Sequence, residues 1–275
     1  MMTWSRVARY LILGGGLGFL YVPIAIVVLY AFNDSRLVTV WTHFSLRWFA
    51  TALQNDQLMG AARLSFMIAT GSATIATTLG TLTALRGRVG SRRKVGKALD
   101  GLLLSPIVLP DVLIGFGLLL FFVVLGQMIG FPRDRGLITL FLAHIALGAP
   151  YSFVVVRARL AHHAWKYEEA AADLGAGPIR TLWTITLPLL VPTLMSAWLA
   201  AFIISFDDVV VASFVSGPGG STLPMVILSS VRLGLSPQAN AVAAMLLVAV
   251  LVIGSIVMAT ASARNSLLSS VKSGA

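Results

Sequence analysis

Long apolar runs separated by short polar stretches set the organisation of this chain. Six runs approach or exceed the ~20 helical residues needed to cross a hydrocarbon core. They cover residues 10–32, 59–85, 101–125, 137–157, 189–215 and 239–262. They predict an all-α membrane protein with six transmembrane helices in a single domain over 1–275. The first run is too long for the apolar core of a cleaved signal peptide, and no Ala-x-Ala site follows it. Its lead-in, Met1 to Arg9 with Trp4 and Arg6, has the character of an interfacial anchor, and Tyr10 continues it. Between the fifth and sixth runs, Ser216-Gly217-Pro218-Gly219-Gly220-Ser221 is turn chemistry. The apolar Leu223–Leu228 that follows is too short to span, and reads as an external or re-entrant hairpin over a pore mouth. One polar stretch stands apart: the charged island 158–188 between the fourth and fifth runs.

Composition agrees with the runs. Apolar residues make up 57% and charged residues 11%, which excludes disorder and an ordinary soluble domain. With no cysteine, thiol catalysis and Cys-based metal sites are excluded. The net charge of +10 is explained by basic loops on the cytoplasmic side, since no basic helix or aromatic-basic module suggests nucleic acid. Fourteen of the 20 Lys and Arg lie in one set of polar segments: Arg6 and Arg9, Arg86 to Lys97, Arg157 to Arg180, then Arg264 and Lys272. The opposite set, within 33–58, 126–136 and 216–238 with Arg63 at its edge, holds six. The positive-inside rule therefore places both termini, and the island, in the cytoplasm.

Within the island, Tyr167 to Ala176 is rich in helix formers, and Ala170, Ala171 and Ala172 add little bulk. Such a helix can sit deep in a partner's groove. Glu169, near its expected start, suits the helix dipole and is available to a partner arginine. Gly175 is a natural C-cap, and Gly177-Pro178 enforces a break. Trp183, Ile185 and Leu187 then give a second short helix an apolar face to pack under the bundle, and Pro188 ends it at the turn into the fifth span. The plain alternative is an amphipathic connector between two spans.

The pattern Glu169-Ala170-Ala171, three residues, Gly175, nine residues, Ile185-x-Leu187-Pro188 resembles the cytoplasmic loop of permease subunits of bacterial ABC importers. The resemblance implies that the short helix sits in a cleft of a cytoplasmic ATPase, with Glu169 paired to an ATPase arginine. It implies a multi-pass protein of the inner membrane with the type I importer permease fold. It also implies its partners: a homologous second permease subunit, two ATPase subunits, a periplasmic binding protein and membrane lipid. Nothing in this chain hydrolyses ATP. Gly90 to Ala98 misses the P-loop spacing and lacks Ser or Thr after Lys97, so ATP and magnesium belong to the partner ATPases and no cofactor is expected here. Gly14 and Gly18 form a GxxxG packing face, not a dinucleotide fingerprint.

Three carboxylates fall within predicted spans: Asp111, Asp207 and Asp208, with Asp100 at a boundary. An aspartate at mid-span costs about 2.5–3.5 kcal/mol on insertion scales, so such groups normally face a cavity or a partner. Arg63 is one candidate partner, and exposure of Asp207 and Asp208 to water at an outer mouth is another explanation. Read functionally, the three line a path for a cation or amine, with Pro106 and Pro110 opening backbone carbonyls to it. Neighbours on a helix point about 100° apart, so one of Asp207 and Asp208 faces such a path. Ser205 to Gly219, Thr222 to Met225, Ser229 to Gly234 and Leu109-Pro110-Asp111 look like the second permease of putrescine/spermidine importers. That resemblance covers most of the chain and implies polyamine cargo carried by a polyamine-binding protein.

Other cargos, such as another cation, thiamine, ferric iron or a sugar phosphate, fit the same machine, although a carboxylate-lined path disfavours anions. A proton- or sodium-coupled secondary transporter would show inverted repeats, which the chain lacks, and would leave the island without a role. An intramembrane enzyme would need a nucleophile–base pair, and none is evident. His144, apolar-flanked in the fourth span with no obvious partner, reads as a satisfied packing histidine, with a proton relay as the alternative. His162 and His163 lack a third ligand for a metal. Trp41, Trp48 and Trp198 read as interface or packing residues.

Overall fold

The computed structural model describes residues 4–37, 40–90, 94–162, 164–233, 237–252 and 255. The expected sixth span at 253–254 and 256–262, His163, Arg92, Arg93, Arg264 and Lys272 lie outside them. The described chain is helical, with one isolated antiparallel bridge between Asn33 and Phe44. Among the described residues, five helices are long and apolar enough to cross a membrane. They are α1 (Trp4–Ala31), α3 (Asp56–Gly90), α5 (Asp111–Ile129), α6 (Leu137–His162) and α9 (Leu187–Asp207), the last entered through a continuous lead-in from Pro178. Shorter helices are α2 (Arg47–Leu53), α4 (Lys94–Val108), α7 (Ala164–Asp173), α8 (Pro178–Thr181), α10 (Val210–Val215), α11 (Leu223–Leu233) and α12 (Pro237–Val252).

Three expectations change. The third run is not one helix, because α4 stops at Val108 and α5 starts at Asp111. Leu109 precedes a proline, which disfavours the α region, and Pro110 takes φ −59°, ψ 140°. The span is therefore 111–129 rather than 101–125. The fifth run is likewise broken near its C-terminal end, where Asp208 is extended (ψ 129°) between α9 and α10. Finally, 223–228 belongs to an eleven-residue helix, α11, rather than a hairpin.

The chain divides into two compact units, residues 1–59 with 227–275, and 60–226. In the first, Asn33 organises the segment after α1. Its side chain donates to Val40 O (2.7 Å) and accepts from Thr42 N (3.0 Å), and its carbonyl accepts from Trp48 Nε1 (2.8 Å). Phe32 packs between Phe44 and Phe49.

In the second unit, α6 packs against α9, α4 and α10. Small residues let the backbones approach. Ala73, Ala76, Ala149 and Ala201 are buried together. A Cβ on Gly80 would lie 2.7 Å from Phe153 N, and one on Gly148 3.0 Å from the Ala76 Cβ. Ser72 meets Ser205 (3.0 Å) and Thr77 meets Ser152 (3.3 Å) through buried hydroxyls. The apolar core above them comprises Ile68, Leu140, Leu147, Val211 and Val215. It fixes α10 against α6 and thereby places the break at Asp208.

Candidate functional site

The island forms a helix, a glycine stop and a second, longer helix. Its first helix, α7, begins at Ala164, three residues before the expected start, so Glu169 sits mid-helix and gains little from the dipole. The stop is a Schellman motif. Gly175 takes φ +79°, its N–H bonds Ala172 O (2.9 Å), and Ala176 N–H bonds Ala171 O (2.9 Å). Ala171, whose carbonyl closes the motif, is buried, while Ala170 and Ala172 are exposed. Gly177 is extended (ψ 157°) and Pro178 opens α8 at a position where the missing N–H costs nothing.

Pro188 does not end a helix. The chain runs from α8 through a π turn, Leu182–Thr186, straight into α9, with Leu187 N–H bonded to Leu182 O five residues back. A proline inside a helix lacks the N–H for the carbonyl four residues earlier and crowds it. The wider turn just before Pro188 relieves that conflict. Trp183 also departs from expectation. It is 67% exposed, while Ile185 and Leu187 are half-buried.

Two adjacent glutamates divide their roles. Glu169 is exposed and makes no hydrogen bond or ion pair among the described residues. Glu168, which sequence reasoning passed over, accepts a hydrogen bond from the buried Thr186 hydroxyl (2.5 Å). Around Glu169, the exposed large apolar groups of the island are Tyr167, Leu174, Ile179 and Trp183.

The aspartates divide likewise. Asp207 ends α9 and is exposed. It tops a stripe at four-residue spacing, Met195, Leu199 and Ile203, all exposed. Asp208 turns inward. Its carboxylate accepts from Val211 N (3.1 Å) and Ala212 N (2.7 Å), capping α10. Its Oδ2 also lies 3.4 Å from His144 Nε2, and both side chains are nearly or fully buried. His144 therefore has a neighbour of opposite charge potential, and its Nδ1 donates to Leu140 O (2.7 Å). The break that brings 208 back toward α6 was invisible in a continuous apolar run. Asp111 is the exposed first residue of α5. Arg63 is exposed and pairs with none of the three among the described residues. Asp100 instead pairs with Arg157 (2.7 Å), tying α4 to α6.

A family model described as "Binding-protein-dependent transport system inner membrane component" matches residues 76–265. The chain is similar to the putrescine transport system permease protein PotI of Escherichia coli, 46% identical over 246 residues, 90% of this chain and 88% of that protein. It is also similar to the spermidine/putrescine transport system permease protein PotC of Escherichia coli, 39% identical over 235 residues, 85% of this chain and 86% of that protein. Among solved structures, a bacterial ABC transporter involved in the import of the acidic polysaccharide alginate shares the fold. Its TM-score is 0.69 at 13% identity, covering 92% of this chain and 95% of that one.

Proposed function

The chain belongs to the inner membrane components of binding-protein-dependent transport systems, and from this we propose that it is the permease subunit of an ATP-driven polyamine importer. The observation that carries the cargo is similarity along nearly the whole chain to permeases named for putrescine and spermidine transport. The exposed Asp207 supports it. A carboxylate on an otherwise apolar helix face is costly against lipid. We infer that this face of α9 turns toward a homologous second permease and the path between them, where a carboxylate attracts an ammonium group. Asp111 contributes in the same way from the start of α5, and Asp208 supports Asp207 by fixing the break.

The whole chain acts as one permease domain with both termini cytoplasmic, the orientation that the basic segments favour. The island docks the ATPase, two copies of which serve the two permeases. Glu169 offers a carboxylate to a basic group, and Ala170, Ala171, Gly175, Ile185, Leu187 and Pro188 shape and anchor the docking helix. ATP and magnesium bind on those ATPases, and this chain carries no cofactor and catalyses no step. A periplasmic polyamine-binding protein delivers the cargo. The test is uptake of radiolabelled putrescine and spermidine by proteoliposomes holding this chain with its co-encoded permease, ATPase and binding protein. Uptake that requires ATP and every component is the expected result. ATP turnover without polyamine uptake would discard the cargo, and failure of the ATPase to associate would discard the docking role.

A further inference from the structure

We propose that Glu168 and Thr186 are positioning residues that form the joint through which movement of α7 reaches the membrane helix α9. This rests on α7 being the ATPase-docking helix.

The backbone route from α7 to α9 turns through the Schellman motif rather than running on as one helix. It passes Gly175, at φ +79°, and Gly177, and a Cβ added at either would meet nothing within 4 Å. The side-chain route is direct. The Glu168 carboxylate takes the Thr186 hydroxyl at 2.5 Å, a short charge-assisted bond with one partner 2% exposed.

Thr186 is unlike its neighbours. Thr181 and Thr184 turn their hydroxyls back onto their own helix, to Gly177 O (3.1 Å) and Arg180 O (2.7 Å). Thr186 closes the π turn, and the carbonyl four residues before it, Leu182 O, already accepts from Leu187 N. Its hydroxyl is spent on α7 instead. A π turn holds one extra residue per turn and can migrate along a helix, so it is a place where a pull on Thr186 can be absorbed as a change of register. The joint therefore grips the π turn in the lead-in to α9.

The experiment uses the complete complex in proteoliposomes and reads polyamine uptake per ATP hydrolysed, with ATPase co-purification as the control for assembly. Thr186→Val removes the hydroxyl at constant shape, Thr186→Ser restores it, and Glu168→Ala removes the acceptor. Thr186→Val and Glu168→Ala are each expected to lower uptake per ATP about tenfold, within the usual range of coupling between sites. The double variant is expected to be no worse than Glu168→Ala alone, because Thr186→Val removes a bond that variant has already lost. Thr186→Ser is expected to keep most of the wild-type ratio. An unchanged ratio in the single variants, additive losses in the double, or loss of ATPase co-purification would each overturn the joint. If the unmodified complex fails to bind ATPase or to take up polyamine, the docking reading fails first, and that result is separate from any variant.

Discussion

Glu168-Glu169 in the island and Asp207-Asp208 in the fifth span are both acidic doublets on helices, and each places one carboxylate inward and one outward. The angular step of a helix makes such a division possible. The difference lies in what the inward member does. Glu168 accepts from the Thr186 hydroxyl and α7 continues past it. Asp208 takes two backbone N–H groups and faces a histidine, and the helix stops there. In water the helix tolerates a second carboxylate at little cost. Within the membrane, the second carboxylate has to be satisfied by backbone, and the break is the result.

The comparison predicts that outward members matter for partners and inward members for the fold. The largest effect is expected at Glu169. If Glu169 meets a basic group of the ATPase as proposed, Glu169→Lys sets a like charge against it, a juxtaposition costing several kcal/mol. Uptake should fall at least about a hundredfold, with ATPase co-purification lost and membrane insertion unchanged. Wild-type uptake in this variant would remove Glu169 from the docking surface.

Next is Asp208→Ala. It strips the cap from α10 and leaves His144 without its carboxylate, at a cost of about 3 kcal/mol from lost charge-assisted bonds. The unfolding midpoint of the purified protein in detergent should drop, and Asp208→Asn, which keeps one acceptor, should drop it by roughly half as much. Asp207→Asn is expected to leave the midpoint alone and lower amine uptake about tenfold, the worth of one exposed charge–charge contact in a partly wet path. ATP hydrolysis should change less than uptake. Equal midpoint losses at 207 and 208 would dissolve the distinction between the two.

Much of this arrangement was legible in the sequence. Span lengths follow from apolar runs, and α1, α3 and α6 lie where the runs place them. Gly175 as a stop and Gly177-Pro178 as a restart follow from local chemistry. What stayed hidden depends on tertiary partners. A hydropathy average over a whole span cannot show that a run is interrupted at Leu109-Pro110 or Asp208, because one or two polar residues, Asp111 or the Asp207-Asp208 pair, barely lower it. Proline usually terminates a helix, yet a π turn lets this one pass Pro188. Trp183 shares its apolar character with Ile185 and Leu187 yet is 67% exposed, and nothing local reveals which way an aromatic on such a short helix points. His144 lacked a visible partner because Asp208 is 64 positions away and reaches it only through the break.

The two doublets also lie near two different ways of ending a helix, and the smallest expected effect tests this. α9 is stopped by a carboxylate that captures N–H groups, whereas α7 is stopped by a residue at φ +79°. At Gly175 a new Cβ would meet no atom within 4 Å, so the cost of Gly175→Ala is the left-handed backbone alone, about 1 kcal/mol. For a chain of this size that corresponds to roughly 2–4 °C in the unfolding midpoint if the island melts with the rest. Asparagine tolerates the left-handed region better than alanine, so Gly175→Asn should recover part of the loss. Equal losses for Ala and Asn would mean that backbone handedness is not what Gly175 supplies. In that case the open space around it, needed by a partner's surface, becomes its reason for being glycine, and both variants should lose ATPase co-purification as well.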